Sequence, residues 1–67
     1  MENKFGEVLK YVLADKGMQQ KQLAEKIGVS SVTISRYVNG TRVPNAYMVM
    51  RIAEGLEVSA DRLLGKG

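Results

Sequence analysis

The sequence predicts an all-α fold, a compact domain of five short helices, and two sets of residues indicate where those helices begin and end. Five of the seven glycines each follow a segment with helical periodicity, where a left-handed residue commonly ends a helix; they are Gly17, Gly28, Gly40, Gly55 and Gly65. Ser30, Asn45 and Ser59 stand at predicted helix starts, where a short polar side chain can cap free backbone N–H groups. No repeat, low-complexity tract or linker divides the 67 residues, so we expect a single domain over residues 1–67.

The composition narrows the classes of function. The chain contains no cysteine and no histidine, which removes disulfides, thiolate zinc sites and the commonest general base. Its seven carboxylates are scattered rather than paired, so we expect no enzyme, no cofactor and no bound metal. The net charge of +3 is compatible with a nucleic-acid partner but does not by itself predict one. No apolar run approaches the roughly 18 residues that suggest a membrane span, and no signal peptide is evident, so cytoplasm is the default location.

The first two helices are defined by their apolar faces. The first is predicted from Lys4 to Lys16, with one face formed by Phe5, Leu9, Val12 and Leu13. The second is predicted from Gln20 to Ile27, with Leu23, Ala24 and Ile27 inward and with Met18 and Leu23 spaced as a hydrophobic staple. Gln19 occupies its N-cap, which Ser or Thr would fill better by about 1 kcal/mol, although Gln22 stands where a capping box requires it.

The third helix is predicted despite a composition typical of a strand. Residues 29–34 read Val-Ser-Ser-Val-Thr-Ile, and β-branched residues favour strands. However, Ser30 and Gly40 bracket a helix from Ser31 to Asn39, and Ile34, Tyr37 and Val38 recur at i, i+3 and i+4. Val29 and Ile34 are spaced as a hydrophobic staple. Because each β-branched residue lowers helix propensity by only a few tenths of a kcal/mol (~0.5), packing on the first two helices can override it.

Two further helices are predicted after residue 45. The fourth is predicted from Ala46 to Glu54, with a buried stripe of Ala46, Val49, Ile52 and Ala53. Beside that stripe we expect Met50 to fill the core and Met48 to point farther out. The fifth is a turn or two from Ala60 to Leu64, with Ser59 as its cap and with Val58 and Leu63 as its staple.

Residues 20–40 have the spacing of a helix-turn-helix. Ala24 lets two helices cross closely, Gly28 makes the tight turn between them, and Ile34 holds the second helix inward. With this pattern intact in "QQKQLAEKIGVSSVTISRYVNGTRVPN", the sequence resembles the lambda-repressor-like family, the phage repressor and Cro type of regulator also called the XRE family. The resemblance extends from about Phe5 to Leu64 and includes the closing segment "RIAEGLEVSADRLL". It implies a five-helix DNA-binding domain that usually binds a palindromic operator as a dimer.

The resemblance also implies roles for individual residues. The positions of the third helix that face base edges are matched by Ser31, Val32, Ser35 and Arg36. Phosphate contact is implied for Gln20, which also braces the third helix, and for the loop residues Asn39, Thr41 and Arg42; we expect Lys21 to join this set. Side-chain chemistry agrees, because Val32 can contact a thymine methyl group and Arg36 can pair with guanine.

One departure from the family involves two positions. The family often pairs an Arg of the first helix, four residues before its terminal Gly, with a Glu near the end of the third helix. Leu13 and Val38 occupy these positions here. Replacing a buried ion pair by apolar residues is often neutral or stabilising, because two desolvated charges are avoided. We therefore predict that Leu13 and Val38 are in contact.

The sequence thus predicts a sequence-specific regulator of transcription, in the first instance a repressor, that binds a double-stranded DNA operator in the cytoplasm, in association with the nucleoid. An apolar patch of Met48, Leu56, Val58 and Leu64 predicts a weak homodimer that tightens on DNA. Two alternatives stay open. One is a protein–protein adaptor with the same fold, in which Lys21, Arg36 and Arg42 would not converge around the third helix. The other is the N-terminal part of a larger repressor.

Overall fold

Five helices form the part of the chain that the computed structural model describes, residues 4–65. They are α1 (Phe5–Asp15), α2 (Gln20–Ile27), α3 (Ser31–Asn39), α4 (Ala46–Leu56) and α5 (Ala60–Leu63). Helix α3 packs on both α1 and α2, α4 packs on α2, and α5 packs on α1 and α4. None of the helices between residues 4 and 65 has the length and apolar character needed to cross a lipid bilayer.

The predicted helix starts are confirmed by hydrogen bonds at three caps. Ser30 Oγ accepts from the Thr33 amide at 3.2 Å, and Asn45 Oδ1 accepts from the Met48 amide at 2.8 Å. Ser59 Oγ accepts from the amide of Arg62 at 3.2 Å. At the weaker start of α2, the Gln19 amide donates to Gln22 Oε1 at 2.8 Å, as in a capping box. Short polar side chains therefore cap α3, α4 and α5 where the sequence predicts.

The core is aliphatic, with one tyrosine. Its fully buried members come from every helix: Leu9, Val12, Leu23, Ile34, Ile52, Leu56 and Leu63. Leu13 is also buried, and Val38 is half-buried against the same core. The two residues therefore lie in or beside one cluster, while their direct contact stays a prediction.

The end of α4 differs from the prediction, because Gly55 does not terminate the helix. Helix α4 continues to Leu56, and Glu57 takes the left-handed conformation with φ +58°. A Cβ atom at Gly55 would lie 2.6 Å from Ile27 Cγ2 and 3.0 Å from Leu23 Cδ1. The glycine is therefore required by the close approach of α4 to α2 rather than by backbone conformation.

The orientation predicted for α4 is also wrong at three residues. Ala46 and Met50 are exposed, Met50 by 58%, whereas Met48 is half-buried and packs against the core. The buried stripe is centred near Ile52 and Leu56. At about 100° per residue, Met50 lies on the opposite side of the helix from this stripe and Met48 lies at its edge.

Candidate nucleic-acid interface

Helix α3 is held with one face inward by its ends and its two buried residues. Gly28 takes a left-handed conformation in the turn from α2, and Ser30 caps the first turn of α3. Ile34 is fully buried and Tyr37 is 4% exposed. These constraints leave a defined outer edge on α3.

That outer edge consists of the four residues predicted to face base edges. Ser31, Val32 and Arg36 are exposed, Val32 by 57%, and Ser35 is half-buried. Asn39 Nδ2 donates to Ser35 Oγ at 3.4 Å, so the Ser35 hydroxyl accepts this bond and keeps its own proton for donation. The edge therefore offers two small hydroxyls, one apolar surface and one guanidinium group.

The guanidinium group of Arg36 is not engaged within residues 4–65. The ion pairs of this part of the chain lie elsewhere, between Lys26 Nζ and Glu57 Oε2 at 3.5 Å and between Arg62 Nη2 and Asp15 Oδ2 at 3.0 Å. Between Glu25 and Glu54 the chain has no acidic residue. A cation in such a setting remains available for an external anion.

The loop after α3 divides into residues that hold the helix and residues that do not. The amide and Oγ1 of Thr41 both donate to the Arg36 carbonyl, at 3.0 and 3.3 Å. The Thr41 hydroxyl proton is therefore used within the chain, where it adds to the backbone hydrogen bonds that the Arg36 carbonyl accepts at the end of α3. Arg42 is exposed and forms no ion pair within the described residues, so the loop leaves this cation at the same end of α3 as Arg36.

The start of α2 carries the other predicted phosphate-contacting residues. Gln20 is half-buried and Lys21 is exposed. Both line an open concavity of about 500 Å³ whose far wall includes Lys10 of α1. Lys10 was not predicted as a site residue, because an exposed lysine on α1 has no sequence signal that relates it to α2.

A second residue missed by sequence reasoning is Arg51, which is half-buried on α4. Its Nη2 donates to the carbonyl oxygen of Ile27, and its Nη1 donates to Tyr47 Oη at 3.1 Å. The guanidinium carbon also lies 5.8 Å from the Tyr47 ring centroid, a cation–π distance. Arg51 is therefore engaged inside the protein, unlike Arg36.

The predicted dimer patch is only partly at the surface. Leu56 is 1% exposed and belongs to the monomer core, so its assignment to an interface is wrong. Met48 and Val58 are half-buried against the core, and Leu64 is 53% exposed. Tyr47 and Met50 of α4 are also exposed apolar residues, and the sequence did not assign them to the patch.

Two helices joined by a glycine turn, with the second helix partly exposed and packed on the first and on α1, define a helix-turn-helix domain. The comparison with known families agrees: the family model described as helix-turn-helix matches residues 9–63. The chain belongs to this helix-turn-helix family, which confirms the XRE-like resemblance and the five-helix fold.

The proteins to which this chain is similar include a phage transcriptional repressor. The cryptic phage CTXphi transcriptional repressor RstR of Vibrio cholerae is 36% identical over 47 residues, which are 70% of this chain. The chain spans only 42% of the length of that repressor.

Two solved structures superpose closely. The restriction-modification controller protein C.AhdI of Aeromonas hydrophila has a TM-score of 0.85 and 25% identity, over 90% of this chain and 91% of that chain. The P22 c2 repressor, solved in complex with the synthetic operator 9T, has a TM-score of 0.84 and 26% identity, over 98% and 100% of the two chains.

Proposed function

We propose that this protein is a sequence-specific transcriptional repressor that inserts α3 into the major groove of double-stranded operator DNA. The observation that carries the proposal is the outer edge of α3, where Arg36 has no intramolecular partner within residues 4–65. The comparisons support it, because RstR is a transcriptional repressor and the P22 c2 repressor was solved on an operator. Repression then follows from exclusion of polymerase at the occupied site.

Each residue of the edge has a chemical role in this proposal. Arg36 pairs with O6 and N7 of guanine, a contact worth about 1–3 kcal/mol of discrimination. Val32 contacts a thymine methyl group, and the hydroxyls of Ser31 and Ser35 donate to or accept from base edges. The serines are also small enough for α3 to lie deep in the groove.

Phosphate contacts on either side of α3 fix its depth and direction. Gln20 and Lys21 contact one phosphate segment from the start of α2, and Asn39 and Arg42 contact another from the end of α3. Thr41 joins them only by exchanging its bond to the Arg36 carbonyl for one to a phosphate. Lysine and arginine contacts of this kind make affinity fall steeply with salt, because counterions are released from the DNA.

A palindromic operator calls for two copies of the chain, reading half-sites about 10 bp apart or a multiple of that spacing. We assign the weak homodimer contact to Met48, Val58 and Leu64, without Leu56, and expect it to tighten on DNA. The cytoplasm, at the nucleoid, is the location that this function requires. No catalytic role is proposed for any residue.

Selection of bound duplexes from a random library tests the proposal directly. We expect enrichment of one motif with two-fold symmetry. When the selection is repeated with Arg36→Ala, the base preference at the most selective position of that motif should disappear. Enrichment of no duplex would overturn DNA recognition and favour the adaptor alternative. A motif without symmetry would overturn the paired half-sites. Sedimentation at micromolar concentration, with and without the selected duplex, then measures how far dimerisation depends on DNA.

A further inference from the structure

Arg51 differs from the other arginines of the acid-free segment between Glu25 and Glu54, because its charge is used inside the protein. Arg36 and Arg42 are exposed and unpaired among the described residues, whereas Arg51 donates to the Ile27 carbonyl and to Tyr47 Oη. Glu54 lines the same cleft, yet no ion pair joins it to Arg51 within residues 4–65. The guanidinium group therefore donates to a backbone carbonyl rather than to a carboxylate.

The carbonyl that Arg51 binds lies at the negative end of α2. The last carbonyls of a helix have no intrahelical partner, and a cation there also interacts favourably with the helix dipole. The Ala24 carbonyl is already used, since the amides of Gly28 and Val29 donate to it. The Ile27 carbonyl receives its hydrogen bond from Arg51 of α4, 24 residues away in sequence. Hydrogen bonds with an ionised donor are about twice as strong as neutral ones.

Two further features connect the same end of α2 to α4. Lys26 Nζ lies 3.5 Å from Glu57 Oε2, just beyond the end of α4. Gly55 allows α4 to approach Ile27 and Leu23 closely. The end of α2 is therefore fixed on α4 by a hydrogen bond, an ion pair and close packing.

The position of Ile27 matters for DNA reading because the turn to α3 is short. Only Gly28, Val29 and Ser30 separate Ile27 from Ser31, the first residue of α3. A displacement of the Ile27 carbonyl therefore also moves Ser31 and Val32, at the start of the outer edge of α3. Resting on the proposed function, we propose that Arg51 is a positioning residue that fixes the α2–α3 turn, and so the placement of α3 in the groove, without contacting phosphate itself.

The salt dependence of DNA binding separates this role from a phosphate contact. Affinities for the selected duplex and for a scrambled duplex are measured by fluorescence anisotropy between about 50 and 200 mM salt. In this range each phosphate contact makes the negative slope of log K against log salt steeper by about 0.9. Arg51→Met should lower affinity for the selected duplex about tenfold while leaving the slope and the scrambled duplex unchanged. The matched control, Arg42→Met, should lower both affinities and make the negative slope shallower by about 0.9.

Conservative variants and a spectroscopic readout complete the test. Arg51→Lys should keep most of the discrimination, because an ammonium group can still donate to the Ile27 carbonyl. Amide resonances of Gly28 and Val29 should shift in Arg51→Met and not in Arg42→Met. If Arg51→Met does not fold, Tyr47→Phe takes its place, since it removes the hydroxyl that holds the guanidinium group; we expect about a twofold loss of discrimination.

Each failure has a distinct meaning. A salt slope that becomes shallower in Arg51→Met, as it does in Arg42→Met, would make Arg51 a phosphate contact and overturn the proposal. Unchanged discrimination in Arg51→Met, or in Tyr47→Phe where that variant is needed, would overturn it as well. A wild-type protein that binds both duplexes equally would instead overturn the proposed function.

Discussion

Gly6 offers the sharpest test of how α1 packs against α3. A Cβ atom at this position would lie 2.6 Å from the Tyr37 carbonyl oxygen and closer still to that of Val38. Phe5 packs beside it, with its ring edge-to-face with Tyr37 at a centroid distance of 6.4 Å. Gly6→Ala must therefore separate the first turn of α1 from the last turn of α3.

The expected cost follows from two opposing terms. Inserting a methyl group into a packed site costs about 1–3 kcal/mol. Here both obstructing atoms are backbone oxygens, which cannot move unless α3 moves, so the upper half of that range applies. Alanine recovers about 1 kcal/mol of helix propensity relative to glycine. We expect a net loss of about 1–2 kcal/mol, which in a domain of this size lowers Tm by roughly 5–15 °C.

This loss is measured by thermal and urea unfolding, with circular dichroism as the probe. Ala14→Gly is the matched control, because Ala14 is an exposed residue of the same helix and the change reports helix propensity without a steric contact. It should lower stability by no more than about 1 kcal/mol. If Gly6→Ala is as stable as the wild type or more stable, the close approach of α1 to the end of α3 is refuted.

Three further predictions test individual residues. Arg36→Ala should lower discrimination at one base pair by about 1–3 kcal/mol, measured on duplexes changed one pair at a time; equal discrimination at every position would exclude Arg36 from base readout. Gln20→Ala should weaken binding to all duplexes alike, because a phosphate carries no sequence information; a loss confined to particular bases would contradict that role. Leu13→Arg should destabilise the fold by about 2–4 kcal/mol, since it places an unpaired charge at a buried position. Adding Val38→Glu should then restore part of the lost Tm, and a double variant no more stable than Leu13→Arg would show that the two positions do not meet.

The bounds of α2 and α3 could be predicted to the residue, because local signals agree there. Both helices end at a glycine in a left-handed conformation, and Ser30 caps the start of α3 by a hydrogen bond within three residues of itself. The strand-like composition of residues 29–34 did not matter, since Ile34 and Tyr37 are buried against α1 and α2. Local chemistry decided where the helix begins, and packing decided that it is stable.

The errors arose where distant packing gave a residue its role. Gly55 resembles a helix terminator in the sequence, yet it is required because a side chain there would clash with Ile27 and Leu23, which lie 28 and 32 residues earlier. The inward face of α4 was misjudged at Met50 because an apolar residue on a short helix can belong to either side. Arg51 was unassigned because no local pattern relates an arginine to a carbonyl on another helix. Each of these depends on how α4 packs in the fold, and no local sequence pattern predicts that packing.

The residues of α3 that pack in the core differ from those that are exposed, and this affects how the DNA specificity of the domain can change. Ile34 and Tyr37 carry the packing, whereas Ser31, Val32 and Arg36 are exposed and bear little of the fold. Exposed helix positions away from caps and buried contacts usually change stability by no more than about 0.5 kcal/mol. In the proposed DNA-binding role, substitutions on the outer edge of α3 can therefore change the base preference while the domain stays folded. Changes at Gly6 or Arg51 act differently, because they alter where the edge lies while every residue on it stays the same.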